Sequence, residues 1–259
     1  LISFSQRPQF ITSYRVIRPL NRTVALYNSL YNSYTICYAC FMFKPEFRVT
    51  SHLFKLFENI ASSTTLIKEA RLAKSLKVPV VKDAFARSVH SSTWIEGNLL
   101  SLAEVRAMSE GQDVLVEQKQ KSEVANCLAA MRWVLKNKNK PVTESDLLVV
   151  HTRMIKGLLS AARSGKYRSV QNYVVDARNK VIFTPPAPAK VTGRMKDLFK
   201  WLKDGDQHTI VRSAVFHHEF LTIHPFVDGN GRVARAISQW LLWETGSDPL
   251  ITLGLDDFF

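Results

Sequence analysis

The chain has 259 residues, of which 46% are hydrophobic, and it carries a formal net charge of +13. This length and apolar fraction are typical of a globular protein and exclude disorder as a description of the whole chain. The positive charge suits polyanionic partners, such as nucleotide phosphates, nucleic acid or an acidic protein surface, without choosing among them. Three cysteines exclude a disulfide scaffold and favour a reducing compartment, so we expect a cytoplasmic protein.

The first 50 residues differ in charge from the rest of the chain. They contain six basic residues and one acidic residue, a net charge of +5, and we interpret them as a basic leader of uncertain structure. A transit peptide is an alternative interpretation of this segment. No stretch of about 18 apolar residues is present, so membrane insertion is not expected. Helical periodicity begins near residue 51, and we divide the remainder into an N-terminal helical region at 51–110 and a core at 111–259.

Helical signals dominate this remainder. Two capping boxes, Ser101 with Glu104 and Thr143 with Asp146, predict helix starts. Glycines at 97, 111 and 205 predict helix ends. The predicted helices cover residues 52–60, 78–97, 101–111, 117–137, 143–159, 190–205, 209–223 and 233–245.

One segment, residues 169–188, predicts strands instead of a helix. Its β-branched and aromatic residues flank "DARN", and Pro185-Pro186 closes the second run. An isolated hairpin is marginal by itself, so we expect it to pack on the helices beside a site. The sequence therefore predicts a mainly α fold, a helical bundle with one β-hairpin.

The stretch "HPFVDGNGRVAR", residues 224–235, concentrates groups that suit phosphate chemistry. Gly229 and Gly231 permit backbone conformations and close approach that a Cβ forbids, which leaves successive N–H groups free to face one ligand. The helix that follows adds the positive end of its dipole. These features predict an anion cradle, and phosphate is the anion that suits it best.

The charged residues around the glycines extend this interpretation. Arg232 and Arg235 are three positions apart, so both project from one helix face toward further phosphates. Asp228 would repel a phosphate cluster unless it holds a divalent cation, and Mg²⁺ is the natural choice. His224 can take a proton from an attacking hydroxyl. The set predicts nucleotidyl or phosphoryl transfer to a hydroxyl, with Phe226 as an apolar anchor of the loop.

These residues resemble the HPFx(D/E)GNGRxxR signature of Fic-domain proteins and match it at every defined position. The resemblance extends over roughly residues 85–245. It implies a Fic fold that transfers AMP from ATP to a Ser, Thr or Tyr hydroxyl of a target protein, with the hairpin as a flap that aligns the target as an added strand. The implied roles are the base for His224, the Mg²⁺ ligand for Asp228, the anion hole for Gly229, Asn230 and Gly231, the β- and γ-phosphate ligand for Arg232, and the flap for Val181, Ile182, Phe183 and Thr184.

Gly231 bears on the reaction class, because the related death-on-curing kinases resemble this motif but have lysine at that position. The resemblance therefore favours AMP transfer over phosphate transfer. The "GKYR" stretch that ends with Tyr167 and Arg168 matches a family turn, and we expect these two residues to buttress the fold.

Upstream, Ser92-Thr-Trp-Ile-Glu96-Gly97 is similar to the (S/T)xxxE(G/N) inhibitory motif of the same family. A carboxylate pairs with a guanidinium in bidentate fashion, so we expect Glu96 to pair with Arg235. That pairing would take the space and charge that the γ-phosphate needs. The resemblance thus implies an adenylyltransferase that inhibits itself through Ser92 and Glu96.

Other functions stay open at this point. The same site suits removal of AMP, or transfer from another nucleotide or phosphodiester donor, and the charge permits a nucleic-acid-binding module. Self-modification and a homodimer stay open as well. The chain stops soon after Arg235, where relatives continue with helices around the adenine. We therefore expect either a fragment or an incomplete adenine pocket.

Overall fold

The computed structural model describes residues 43–48, 50–70, 73–175, 178 and 180–246. Most of the predicted basic leader lies outside the described residues, and so does the segment at 247–259. The described residues belong to one compact unit. Among them, no helix is both long enough and apolar enough to cross a membrane.

Helices make up most of the described structure, together with one small antiparallel sheet. This confirms the mainly α fold with a single hairpin that the sequence predicts. Within the described residues the elements are α1 Ser51–Glu69, α2 Lys74–Ile95, α3 Leu102–Ser109, α4 Gln118–Asn137, α5 Glu144–Met154, β1 Val174–Val175, β2 Val181–Phe183, α6 Pro188–Asp204, α7 Thr209–Ile223 and α8 Asn230–Glu244.

Both predicted capping boxes are formed. At the start of α3, Ser101 Oγ accepts a hydrogen bond from the N–H of Glu104, and the Glu104 carboxylate accepts one from the N–H of Ser101. Thr143 and Asp146 make the same reciprocal pair at the start of α5. Each box satisfies two N–H groups that a helix start leaves unpaired, which contributes about 1 kcal/mol.

Four helix boundaries differ from the prediction by three residues or more. α1 ends at Glu69 instead of residue 60. α5 ends at Met154 instead of Leu159, because the chain turns over the next residues and Gly157 adopts a φ of +73°. α2 begins at Lys74, four residues before the predicted start, and contains Pro79. α8 begins at Asn230, three residues before the predicted start at Val233. The second half of "DGNGR" is therefore the first turn of a helix and not a loop.

The core is arranged around α8. This helix packs against α2, α4, α5 and α7, and its side chains are buried from Arg232 to Trp243. α7 has a largely apolar sequence, yet it buries only one face, at Ser213, Phe216, Phe220 and Ile223. α8 is buried on all sides because neighbouring helices surround it, and each large apolar side chain buried there contributes about 2 to 3 kcal/mol.

α1 has the predicted helical periodicity but buries none of its residues. Phe54, for example, is 57% exposed. The Phe57 ring stacks on the ring of His208, with 5.2 Å between the ring centroids. The apolar spacing in this region therefore predicted the helix correctly without indicating a buried face.

One histidine among these helices, His151, is buried, and another, His217, is partly buried. His151 on α5 accepts a hydrogen bond at Nδ1 from the N–H of Gly165, so in the neutral ring Nε2 carries the proton and donates it to the carbonyl oxygen of Asp228. Burial lowers the pKa of His151 to about 4, and burial also lowers the pKa of His217 on α7 to about 4. Both imidazoles are neutral at neutral pH in the folded protein.

A lowered histidine pKa makes stability depend on pH. Between the ordinary histidine pKa of about 6.5 and the folded value of about 4, the unfolded chain binds more protons than the folded chain, so stability falls as pH falls. His151→Gln keeps one donor and one acceptor and does not titrate. We expect urea unfolding between pH 7 and pH 4.5 to show a smaller loss of stability for this variant than for the wild type. Parallel pH dependences would contradict the neutral, buried His151.

Candidate active site

The turn between α7 and α8 is set by an unusual backbone conformation at His224. This residue follows the last residue of α7 and has φ 50° and ψ 61°. Among the described residues it is the one residue other than glycine with positive φ. Such a conformation costs about 1 kcal/mol or more, and the following Pro225 disfavours continuation of the helix at His224. The strained turn places His224 at the start of the loop.

The six consecutive backbone carbonyl oxygens of residues 223–228 accept hydrogen bonds from residues outside this segment. The donors belong to Arg168, Asn172 and His151. Because buried carbonyl groups need partners, this pairing stabilises an otherwise irregular turn inside the protein. The distances are 3.4 Å from Arg168 Nη2 to Ile223 O, 2.8 Å from Arg168 Nε to His224 O, 2.8 Å from Arg168 N to Pro225 O, 2.8 and 3.3 Å from Asn172 Nδ2 to Phe226 O and Val227 O, and 3.1 Å from His151 Nε2 to Asp228 O.

Phe226 anchors the loop to the hydrophobic core. Its ring is fully buried and stacks on His151, with 3.7 Å between the ring centroids, and Tyr167 lies against it at 5.6 Å. The Asn230 side chain accepts a hydrogen bond from the N–H of Phe226 at 2.9 Å and donates one to its carbonyl at 2.8 Å. The side chain of Asn230 is therefore a brace of the loop, and only its backbone N–H is left for an anion.

The opposite side of the turn presents hydrogen-bond donors. The N–H groups of Asn230, Gly231 and Arg232 lie in the first turn of α8, and the described residues place no acceptor on them. The N–H of Gly229 differs, because it donates to Asp228 Oδ1 at 2.6 Å. Arg232 is only 4% exposed, and its Nε is buried without a partner. Three helix N–H groups and a buried guanidinium therefore lie where the sequence predicts an anion cradle, which is the name kept below for this group.

The imidazole of His224 has the protonation state that a base requires. Burial lowers its pKa, and the nearby charge of Arg168 lowers it further, whereas a hydrogen bond to the backbone of Leu221 and the carboxylates of Glu96 and Asp228 oppose the shift. At neutral pH the ring is consequently neutral and has a nitrogen that accepts a proton.

Asp228 is the carboxylate at the edge of the cradle. Its side chain is 52% exposed, and Oδ1 lies 3.4 Å from Arg232 Nη2. Across the described residues there is no group of three or more His, Cys, Asp or Glu side chains that encloses a metal. Mg²⁺ is commonly held by one or two carboxylates together with substrate phosphates, so a single exposed carboxylate beside an anion cradle fits it.

Arg235, one turn further along α8, is engaged by the end of α2. Its Nε donates to Ser92 Oγ at 3.0 Å, and its Nη2 donates to the carbonyl oxygen of Ser92 and to Glu96 Oε1, each at 2.8 Å. The Arg235 side chain is buried and that of Glu96 is 35% exposed. The structure thus brings together the Ser92, Glu96 and Arg235 that the sequence pairs.

Glu96 also lies directly against Gly231. A Cβ at position 231 would clash with Glu96 Oε1 and approach Arg235 Nη1 to 3.0 Å. The carboxylate therefore occupies space beside the first turn of α8, next to the free N–H groups. The absence of a side chain at residue 231 is what admits it.

Within the described part of the chain, each strand of the hairpin has an unpaired outer edge. β2 pairs only with β1, in the register Val174 with Phe183 and Val175 with Val181. Val181, Ile182 and Phe183 are exposed, and Thr184 follows the strand without belonging to it. An exposed strand edge is able to pair with an extended segment of another protein.

Sequence reasoning missed the roles of His151 and Asn172. His151 lies on the buried face of α5 with Leu147, Val150 and Met154, and a lone histidine on an apolar face gives no indication of its partner. Asn172 lies in the hairpin segment, where a turn-forming residue is expected. Their contacts with the loop span 77, 54 and 55 positions in sequence, which no local pattern reveals.

Comparison with known proteins agrees with this geometry. Residues 141–242, which include α5 to α7 and most of α8, match the sequence model of the Fic/DOC family. This part of the chain is a Fic domain. The matched segment contains the whole cradle, the hairpin and the loop that holds His224.

Curated relatives carry the same domain. The chain is 31% identical over 181 residues to "Protein adenylyltransferase fic-1" of Caenorhabditis elegans, a match that covers 66% of this chain and 34% of that protein. It is 32% identical over 183 residues to "Protein adenylyltransferase Fic" of Nematostella vectensis, which covers 66% and 40% respectively. The chain therefore matches between a third and two fifths of the length of these relatives.

Solved structures share the fold of the Fic domain and its neighbouring helices. A Fic family protein from Desulfovibrio desulfuricans superimposes with a TM-score of 0.70 at 29% identity, over 83% of this chain and 64% of that one. Fic-1 of C. elegans superimposes with a TM-score of 0.62 at 25% identity, over 74% and 57%. The covered fraction of this chain exceeds residues 141–242, so the similarity extends beyond the family match.

The contact between Glu96 and Gly231 is testable by stability alone. In the wild type, Gly231→Ala forces the carboxylate away from Arg235, so we expect a loss of about 1 kcal/mol in the free energy of unfolding. In a Glu96→Gly background the same substitution meets no carboxylate, and we expect little change or a small gain. Urea unfolding of the four proteins measures the difference.

Gly193→Ala is the matched control, because Gly193 lies within α6 and a Cβ there meets nothing within 4 Å. We expect it to have the same small effect in both backgrounds. An equal effect of Gly231→Ala with and without Glu96 would show that the carboxylate does not lie against Gly231.

Proposed function

We propose that the Fic domain transfers AMP from ATP to a Ser, Thr or Tyr hydroxyl of a target protein and that Glu96 restrains this activity. The observation that carries the proposal is the cradle, in which free N–H groups of α8 and the buried Arg232 lie beside a neutral His224. Two relatives named protein adenylyltransferases support the same reaction class.

In this reaction the hydroxyl oxygen of the target attacks the α-phosphorus of ATP. The new oxygen to phosphorus bond forms while the bond between the α-phosphorus and the oxygen that bridges to the β-phosphate breaks, and pyrophosphate leaves. His224 accepts the hydroxyl proton, which makes the oxygen a better nucleophile. The N–H groups of Asn230 and Gly231 stabilise negative charge on the phosphate, and Arg232 binds the phosphates beyond it.

Asp228 is the residue that would hold Mg²⁺ together with the phosphates of ATP. The ion would supply positive charge that screens the phosphates from one another and from the carboxylate. The half-exposed position of Asp228 at the edge of the cradle supports this assignment.

The free edge of β2 is the proposed binding place for the target. An extended target segment would add as a strand beside Val181, Ile182 and Phe183, with Thr184 at its end. Backbone pairing of this kind recognises an extended conformation more than a particular sequence. The specificity for a hydroxyl residue would then come from the distance between the added strand and His224.

Inhibition follows from what Glu96 occupies. It takes a donor of Arg235 and fills the space beside Gly231, both of which the terminal phosphate of a productively bound ATP would need. Like charges repel in this confined space, so the carboxylate and the γ-phosphate exclude each other. Ser92 holds Arg235 in the position where Glu96 meets it.

Glu96→Gly tests the proposal directly. With ATP labelled at the α-phosphate and a cell lysate as the source of targets, we expect this variant to label protein about ten to a hundred times more than the wild type. That range corresponds to one charge-assisted hydrogen bond removed. Adding His224→Ala to the same variant should abolish labelling without loss of the fold. Equal labelling by wild type and Glu96→Gly would contradict the inhibition.

Glu110→Gly is the matched control. Glu110 ends α3 as Glu96 ends α2, and each glutamate precedes a glycine with positive φ. Unlike Glu96, Glu110 takes part in none of the ion pairs found among the described residues. We expect it to leave labelling at the wild-type level. Competition with unlabelled CTP, GTP and UTP distinguishes the donors, and we expect unlabelled ATP to compete best.

Removal of the metal gives a separate prediction. We expect EDTA to abolish labelling by Glu96→Gly and added Mg²⁺ to restore it. Asp228→Asn keeps the size of the side chain but loses its charge, so it should need a higher Mg²⁺ concentration for half-maximal labelling. An unchanged Mg²⁺ requirement in Asp228→Asn would contradict the role of Asp228 as ligand.

A further inference from the structure

Arg168 is a buried cation whose partners are carbonyl groups. It is 3% exposed, and within the described residues its guanidinium forms no ion pair with a carboxylate. Four backbone carbonyl oxygens accept hydrogen bonds from its side chain. A buried charge is expensive unless it is hydrogen-bonded, so this arrangement requires all four carbonyls to stay in place together.

Two of these carbonyls belong to the end of α7. Ile223 O and His224 O are carbonyls that a helix end leaves unpaired, and the guanidinium meets them at the negative end of the helix dipole. The contact with His224 O, at 2.8 Å, holds the peptide of the residue with the strained left-handed backbone. Arg168 thereby fixes the proposed base.

The other two carbonyls belong to the two legs of the hairpin. Val170 O, four residues before β1, lies 3.0 Å from Nη1, and Pro186 O, three residues after β2, lies 2.5 Å from Nη2. Pro186 follows Pro185, and two successive prolines make this leg stiff. Gln171 adds a hydrogen bond from Nε2 to Pro185 O at 2.9 Å. The guanidinium is therefore the point where both legs meet the end of α7.

We propose that Arg168 is a positioning residue that fixes the hairpin and His224 relative to each other, so that a target strand added to β2 presents its hydroxyl to the imidazole. This inference rests on the proposed function of the site. The guanidinium suits the task because its donors lie in one plane and point in fixed directions, which a lysine ammonium cannot reproduce. The turn and the hairpin then move as one body.

The first test does not depend on activity. Arg168→Lys keeps the positive charge but loses the planar arrangement of guanidinium donors. The legs of the hairpin and the end of α7 then each lose a hydrogen-bond donor. We expect amide hydrogen exchange in peptides covering 170–187 and 221–229 to become faster by about tenfold, as for loss of a hydrogen bond to a charged group. Peptides of α4 should exchange at the wild-type rate. Faster exchange at 221–229 alone would show that Arg168 only caps α7 and would overturn the proposal.

The second test uses the Glu96→Gly protein. Water can replace the target hydroxyl and release AMP from ATP, and this reaction needs His224 and the cradle but not the hairpin. We expect Arg168→Lys to lower protein labelling about tenfold. AMP release should fall by a smaller factor than labelling, because it depends on His224 but not on the hairpin, and the apparent KM for ATP should change by less than about twofold. Equal losses of labelling and AMP release would mean a general defect of the site and would overturn the proposal.

Arg163→Lys is the matched control, since Arg163 is an exposed arginine five residues upstream. It should change neither the exchange rates nor the two activities.

If the parent Glu96→Gly protein labels no target and releases no AMP, the proposed function fails, while hydrogen exchange still decides whether Arg168 joins the hairpin to the turn. Arg168→Met, which also removes the charge, should show a larger exchange effect than Arg168→Lys, and a smaller one would contradict the carbonyl contacts.

Discussion

The pairing of carbonyl oxygens 223–228 is the interaction on which the site depends. A sharp turn between two packed helices would bury unpaired carbonyls, and their negative ends would lie near the proposed phosphates. Side chains of α5 and of the segment before β1 hold them instead. The N–H groups of α8 are then the polar groups left for an anion. The proposed cradle favours an anion because the carbonyl groups on the opposite side of the turn are already hydrogen-bonded.

In the contact between α2 and α8, one residue has two proposed partners. Arg235 contacts Glu96 in this structure, and in the proposed reaction its charge would be available to the terminal phosphate of ATP. The Glu96 carboxylate is only partly buried, so its pairing with Arg235 is of limited strength. The proposed inhibition has to be reversible, and a weak ion pair permits this. A fully buried pair would be harder to break and would keep ATP from binding productively.

Much of this structure follows from local sequence signals. The capping boxes at Ser101 and Thr143 and the hairpin each act over a few residues, and each forms as predicted. What local patterns did not reveal depends on distant partners. The exposed face of α1, the central position of α8 and the contacts of Arg168 are decided by which helices lie nearby. The start of α8 also differs from the prediction, because Gly229 caps the helix with a backbone conformation that the sequence composition does not specify.

Ser92 affects Arg235 independently of the ion pair that Arg235 makes with Glu96. Arg235 donates two hydrogen bonds to Ser92, one to its hydroxyl oxygen and one to its backbone carbonyl oxygen. If the carboxylate departs, those two hydrogen bonds remain and hold the long arginine side chain in its rotamer. The conformational entropy of that side chain has then already been lost before any nucleotide arrives. In the proposed reaction, loss of the Glu96 contact would therefore leave Arg235 already positioned for a phosphate.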